Sequence, residues 1–123
     1  MARTNFEILR VYQLAEELAD AVWDIVIARR NLAQDTVGKQ LIRAADSVGA
    51  NIAEGSGRGS ARDNRRFVRI ARGSLYETKH WLRRAYKRKL LASDQTNSLK
   101  TTIDEPTRTL NGYLRSLNGN TKH

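Results

Sequence analysis

Apolar residues return every three or four positions through most of the chain, and that period is the mark of amphipathic helix. Val11, Leu14, Leu18, Val22 and Ile25 form a first stripe, and Val37, Leu41, Ala44, Ala45, Val48 and Ile52 a second. Phe67, Ile70, Ala71, Ser74, Leu75, Thr78, Trp81, Leu82 and Ala85 share one side of a third helix. Leu99, Ile103, Leu110, Leu114 and Leu117 mark a fourth at near-heptad spacing. A single proline in 123 residues leaves few places to break these runs. The periodicity predicts helices over about 5–30, 36–54, 61–91 and 95–117. The punctuation agrees. Thr4 and Glu7 have capping-box spacing, Asp35 and Ser60 are N-cap residues, Asp63 stands at N3, and Gly55 suits a C′ position. Pro106 falls inside the fourth pattern, where it removes a backbone donor and is expected to kink the helix. Four such helices with short connections give an all-α, up-down four-helix bundle, expected as one domain over 1–123.

The absence of cysteine excludes disulfides and thiolate metal sites, and no apolar run approaches membrane-spanning length, so a cytoplasmic protein is expected. Charge is unevenly spread. Arg58 to Leu91 holds twelve Lys/Arg against Asp63 and Glu77, a balance of +10. The rest holds ten basic and eleven acidic side chains, a balance of −1, so this segment carries the whole excess of +9. At 100° per residue Arg62, Arg65, Arg66, Arg69, Arg72, Tyr76, His80, Arg83, Arg84 and Lys87 fall on the side of the third helix opposite its core. The stripe is ~38 Å long at 1.5 Å per residue. Three readings fit it: a phosphate-backbone track with Tyr76 available for stacking, a dock for an acidic protein surface, or a solvated face. A solvated face usually mixes signs, because like charges one turn apart repel, and here nothing within the helix compensates them. RNA or DNA contact is therefore the leading expectation, without sequence preference because no groove-reading motif is present.

The first helix has more apolar surface than a monomeric bundle requires. Ile8, Tyr12, Trp23 and Ile27 make a second face beside the core stripe, where a subunit interface is expected. The alternative is that the two aromatic rings lie over the bundle edge. Glu16, Asp20 and Asp24 follow at i,i+4 and could meet a neighbour's basic stripe.

Catalytic patterns are missing. A di-metal bundle needs inward Glu-x-x-His pairs, whereas His80 lies on the basic face and His123 at the end of the chain. The turn Gly55 to Gly59 lacks the Gly-Lys-Ser/Thr ending of a phosphate-binding loop, and Ser47 has no His or Asp at a suggestive spacing. No enzyme, cofactor or metal is expected. Beside the second apolar stripe, Gln40, Ser47, Asn51 and Glu54 face the region where Gly73, Ser74 and Glu77 should cross, with Gly73 permitting close approach. Ser47, Asn51, Glu54, Ser74 and Glu77 are expected to form a structural hydrogen-bond network, the alternative being a functional polar site.

The same residues carry a family likeness. Ala50-Asn51-Ile52-Ala53-Glu54-Gly55, then Gly57-Arg58, Phe67, Ala71, Gly73-Ser74 and Glu77, resembles the signature of the four-helix-bundle proteins encoded by intervening sequences of bacterial 23S ribosomal RNA genes. Phe6, Leu9, Val11-Tyr12-Gln13 and Ala15 in the first helix are similar too, as are Leu41, Arg43-Ala44-Ala45 and Ser47 in the second. The resemblance implies a cyclic homopentamer and no catalytic residues. It also implies kinship with accessory proteins of diversity-generating retroelements, which bind nucleic acid and partner with a reverse transcriptase. Two features depart from the family pattern: Pro106 in a helix that is usually continuous, and an unusually Arg-rich third helix.

Overall fold

A computed structural model describes residues 9–31 and 35–120, with side chains through residue 118. The described residues form four helices and no strand: α1 (Arg10–Ala28), α2 (Thr36–Ser56), α3 (Ala61–Lys87) and α4 (Ser93–Asn120). Each packs against two others, α1 on α2 and α4, and α3 on α2 and α4, which closes the bundle. Register shows the up-down course. Tyr12 near the start of α1 lies against Gly49 near the end of α2. Ser47 in α2 meets Ser74 in α3, and Asn64 at the start of α3 meets Tyr113 late in α4. Leu18, Leu41, Ile52, Leu75, Leu82, Leu99, Ile103 and Leu110 are fully buried between the four.

Two caps are as the sequence predicts: the Asp35 carboxylate accepts from Val37 N at 2.8 Å, and Ser60 Oγ accepts from Asp63 N at 3.1 Å. Other boundaries differ. Leu9 is extended (φ −69°, ψ 130°), so α1 begins at Arg10 and not near residue 5. The Thr4–Glu7 capping box lies outside the described residues. Gly55 is not a C′ residue but a buried position inside α2. A Cβ there would stand 2.7 Å from Asn64 Oδ1 and 2.9 Å from Phe67 Cβ, so its lack of a side chain sets how closely α2 and α3 approach. Gly73 does not do this: it is exposed, and a Cβ there would meet nothing within 4 Å.

Helix α3 stops four residues earlier than the sequence predicts, at Lys87. Lys89 takes a left-handed conformation (φ 61°), and Leu90 N reaches back to Ala85 O at 2.9 Å, closing the last turn. The fourth helix runs through its proline, as its apolar pattern predicts. Pro106 occupies a core-facing position between Ile103 and Leu110, and its ring is buried. Beside it, Thr107 Oγ1 donates to Ile103 O at 2.8 Å. Packing against the core thus compensates the donor that the proline lacks.

Candidate nucleic-acid interface

Helix α3 buries Val68, Ala71, Leu75, Thr78, Leu82 and Ala85, which turns the opposite side to solvent. Arg62, Arg66, Arg69, Tyr76, Arg83 and Lys87 are exposed there. Arg65, Arg72 and Arg84 are not: all three are half-buried. Arg72 leans toward α4 because the helical projection puts it at the edge of the stripe. Arg72 Nη1 donates to Asn111 Oδ1 at 3.5 Å, and Arg65 Nη1 is buried with no hydrogen-bond partner among the described residues. Ile70, expected in the core, is 43% exposed because it sits at the opposite edge.

None of the basic side chains of the stripe forms an ion pair among the described residues; the four pairs present involve Arg10, Arg43 and Arg58. Two carboxylates stand by the face without an ion pair to it among the described residues: Asp63 beside Arg62, Arg65, Arg66 and Arg69, and Asp104 of α4 beside Arg83 and Lys87. Glu77 pairs with Arg43 across the α2–α3 seam and accepts from Trp81 Nε1 at 3.1 Å. Two cations are held by rings: Arg58 and Arg66 stand 4.9 Å and 4.5 Å from the Phe67 ring centroid. Lys79 joins the face, its Nζ 5.7 Å from the Tyr76 ring.

One part of this face escaped the sequence reading. A groove of about 480 Å³ runs between the C-terminal half of α3 and the facing part of α4. Leu82, Thr96 and Ile103 are its buried floor, and Lys79, Arg83, Lys87, Lys100, Asp104 and Tyr86 its exposed rim. Lys79 and Tyr86 lie just outside the projected stripe, and Lys100 is on another helix, so only the α3–α4 register brings them together.

The opposite side of the bundle is acidic and apolar. Trp23 and Ile27 on α1 are 51% and 53% exposed. Tyr12 is half-buried, packed toward Gly49, with its hydroxyl 3.4 Å from Glu16 Oε2. Ile8 lies outside the described residues. Glu16, Asp20 and Asp46 line the shallow α1–α2 groove. The Asp46 carboxyl is pushed above its ordinary range, first by desolvation and then by the charge of Asp20.

The polar flank of α2 divides into separate contacts. Ser47 Oγ and Ser74 Oγ are 2.7 Å apart, and each also donates to or lies by a carbonyl of its own helix. Asn51 Nδ2 donates to Ser47 O at 2.8 Å, within α2. Glu54 does not belong to the expected network: it is exposed and pairs with Arg58 at 3.2 Å, because it projects from the solvent side of α2. Glu77 is likewise tied to Arg43 and Trp81 and not to Ser74. Among the described residues no group of acidic or histidine side chains could hold a metal ion, and no helix is long and apolar enough to cross a membrane.

The 23S rRNA-intervening sequence protein model matches residues 7–112, most of the chain. The chain belongs to that family. A structure described as a protein of unknown function from the S23 ribosomal protein family of Bacteroides thetaiotaomicron VPI-5482 shares its fold, with a TM-score of 0.78 at 24% identity over 85% of this chain and 97% of that one. No curated protein matches. For a 23S rRNA-intervening sequence protein the four helices and their order are thus accounted for, while the basic face of α3 has to be explained from its own chemistry.

Proposed function

We propose that this protein is a non-enzymatic, homo-oligomeric bundle that binds RNA or DNA through the basic face of α3, without strong sequence preference. The carrying observation is that the face stays uncompensated after folding: Arg62, Arg66, Arg69, Arg83 and Lys87 are exposed and none has a carboxylate partner among the described residues. A row of unpaired cations on a rigid helix matches the repeating charge of a phosphate backbone and offers no element that reads bases. Oligomerisation is supported by the exposed Trp23 and Ile27. A cyclic pentamer, and a reverse transcriptase as protein partner, rest on the resemblance alone.

A second reading has its own support. The chain carries an acidic face, Glu16, Asp20 and Asp46, opposite the basic one. A scaffold whose basic stripe docks on an acidic protein surface would use the same residues.

The test is a charge reversal restricted to exposed positions. Arg65 and Arg72 are half-buried, so reversing them would confuse binding with folding. Arg62, Arg66 and Arg69 reversed together to Glu should abolish binding to a labelled RNA or DNA strand. Reversing exposed Arg30, Lys39 and Arg108 should cost much less. For the wild type, the logarithm of affinity should fall linearly with the logarithm of salt, by ~0.7 per phosphate neutralised on a single strand. Equal losses from the two triple variants would reduce the attraction to net charge. Absence of binding at low salt would favour the scaffold.

A further inference from the structure

The α3–α4 groove is not merely more of the basic track. Its floor is mostly apolar: Leu82 and Ile103 are 2% and 1% exposed, and Thr96, 3% exposed, has its hydroxyl turned to Ala92 O at 3.0 Å. Around it stand Lys79, Arg83 and Lys87 from α3 and Lys100 from α4. Phosphate alone needs no apolar floor, and the Asp104 carboxylate on the rim would repel it. A planar base with attached phosphate fits both halves: the ring over the apolar floor, its amino N–H groups toward Asp104, and the phosphate on the cations.

Tyr86 gives the arrangement its direction. The residue is 42% exposed and forms a wall shared with a second cleft of about 400 Å³ lined by Arg29, Lys87, Lys89, Leu91, Ala92 and Ser93. Its hydroxyl makes no hydrogen bond among the described residues, so no contact there explains why an aromatic ring is left in water. An exposed ring between two basic clefts is a stacking platform with phosphate sites on either side.

We infer that the groove between α3 and α4 receives an unpaired nucleobase stacked on Tyr86, with the flanking phosphates on Lys79, Arg83, Lys87 and Lys100, so that the protein selects single-stranded over double-stranded nucleic acid. This rests on the nucleic-acid reading of α3 and deepens it. Bases inside a duplex are paired and stacked on one another, so they cannot enter the groove, whereas a duplex still presents phosphates to the exposed arginines.

Fluorescence anisotropy with the full chain tests it, using a single-stranded RNA of about 12 nucleotides made of A and C, and its duplex with the complement. At one salt concentration the single strand should bind about tenfold tighter than the duplex, one stacked base contributing on that order. Tyr86→Ala should remove that advantage while duplex binding stays within about twofold, and Tyr86→Phe should keep it, since the ring and not the hydroxyl stacks. Lys100→Glu should weaken the single strand more than the duplex. Thermal melts check that each variant is folded. The Arg62, Arg66 and Arg69 reversal acts on both probes and so reports on the track separately. Equal affinity for the two wild-type probes, with no effect of Tyr86→Ala, overturns the inference and leaves the track intact. AMP binding as tightly as the strand also overturns it, since the groove would then take free nucleotides. Failure to bind either probe removes the inference together with the reading beneath it.

Discussion

At Gly55 a hydrogen atom stands where any other residue would put a carbon 2.7 Å from Asn64 Oδ1 and 2.9 Å from Phe67 Cβ. Carbon–oxygen and carbon–carbon separations that short are repulsive, so Gly55→Ala must push α3 away from α2 or displace Asn64. The cost should be about 1–3 kcal/mol, as for other overpacked cores. Gly73, one helix over, is the internal control. It is exposed with open space around it, and alanine there recovers the backbone entropy that glycine loses in a helix. Gly73→Ala should therefore stabilise by about 0.5–1 kcal/mol. Urea unfolding of the two variants reads both signs. If both substitutions stabilise, the α2–α3 contact at Gly55 is looser than described, and the seam has room that the geometry denies.

At the scale of elements, that seam is joined by only a few polar contacts. The Ser47–Ser74 bond crosses from α2 to α3, so removing both hydroxyls should cost less than the sum of the single changes, with a coupling of about 0.5–1.5 kcal/mol in a double-mutant cycle. Asn51 differs, because its amide donates to a carbonyl of its own helix that already accepts a helical N–H. Asn51→Ala should change stability by less than about 0.5 kcal/mol, since no buried partner is orphaned and alanine favours helix. Denaturation of the four variants tests both statements, and a large loss at Asn51 would restore the network that the sequence pattern implies. The contrast marks what was legible. Helix number, the core stripes of α1, α2 and α4 and the caps at Asp35 and Ser60 depend on neighbours within one helix, so periodicity and local chemistry reveal them. What depends on a second helix was not legible. A 100° projection separates the core side from the water side but cannot tell which edge a neighbour covers. That is why the projection groups Arg65, Arg72 and Arg84 with the free cations and Ile70 with the core. For the same reason the sequence pattern assigns to Gly73 the role that belongs to Gly55, and the groove of Tyr86 and Lys100 exists only where α4 lies beside α3.

At the scale of the whole molecule, the fold separates two kinds of surface. The α3 side carries the unpaired cations, and the α1–α2 side carries Trp23, Ile27 and the carboxylates of Glu16, Asp20 and Asp46. An indole half in water beside an exposed isoleucine has more to gain from a protein neighbour than from solvent, and such anchors are typical of subunit contacts. Sedimentation equilibrium at micromolar concentration should therefore give a multiple of the 13.9 kDa chain, and a mass of five chains would fit the pentamer that the resemblance implies. Trp23→Glu should move the mass toward one chain without loss of helix by circular dichroism, because the side chain it replaces is 51% exposed and holds little of the core. The Arg62, Arg66 and Arg69 reversal then decides what the neighbour touches. If the acidic face of one copy docks on the basic face of the next, that reversal should dissociate the oligomer as Trp23→Glu does, and added salt should dissociate the wild type. If the basic face is instead free for nucleic acid, the reversed protein should keep its mass while losing its strand. A wild-type monomer would refute the interface on α1 and leave Trp23 and Ile27 as surface for some other partner.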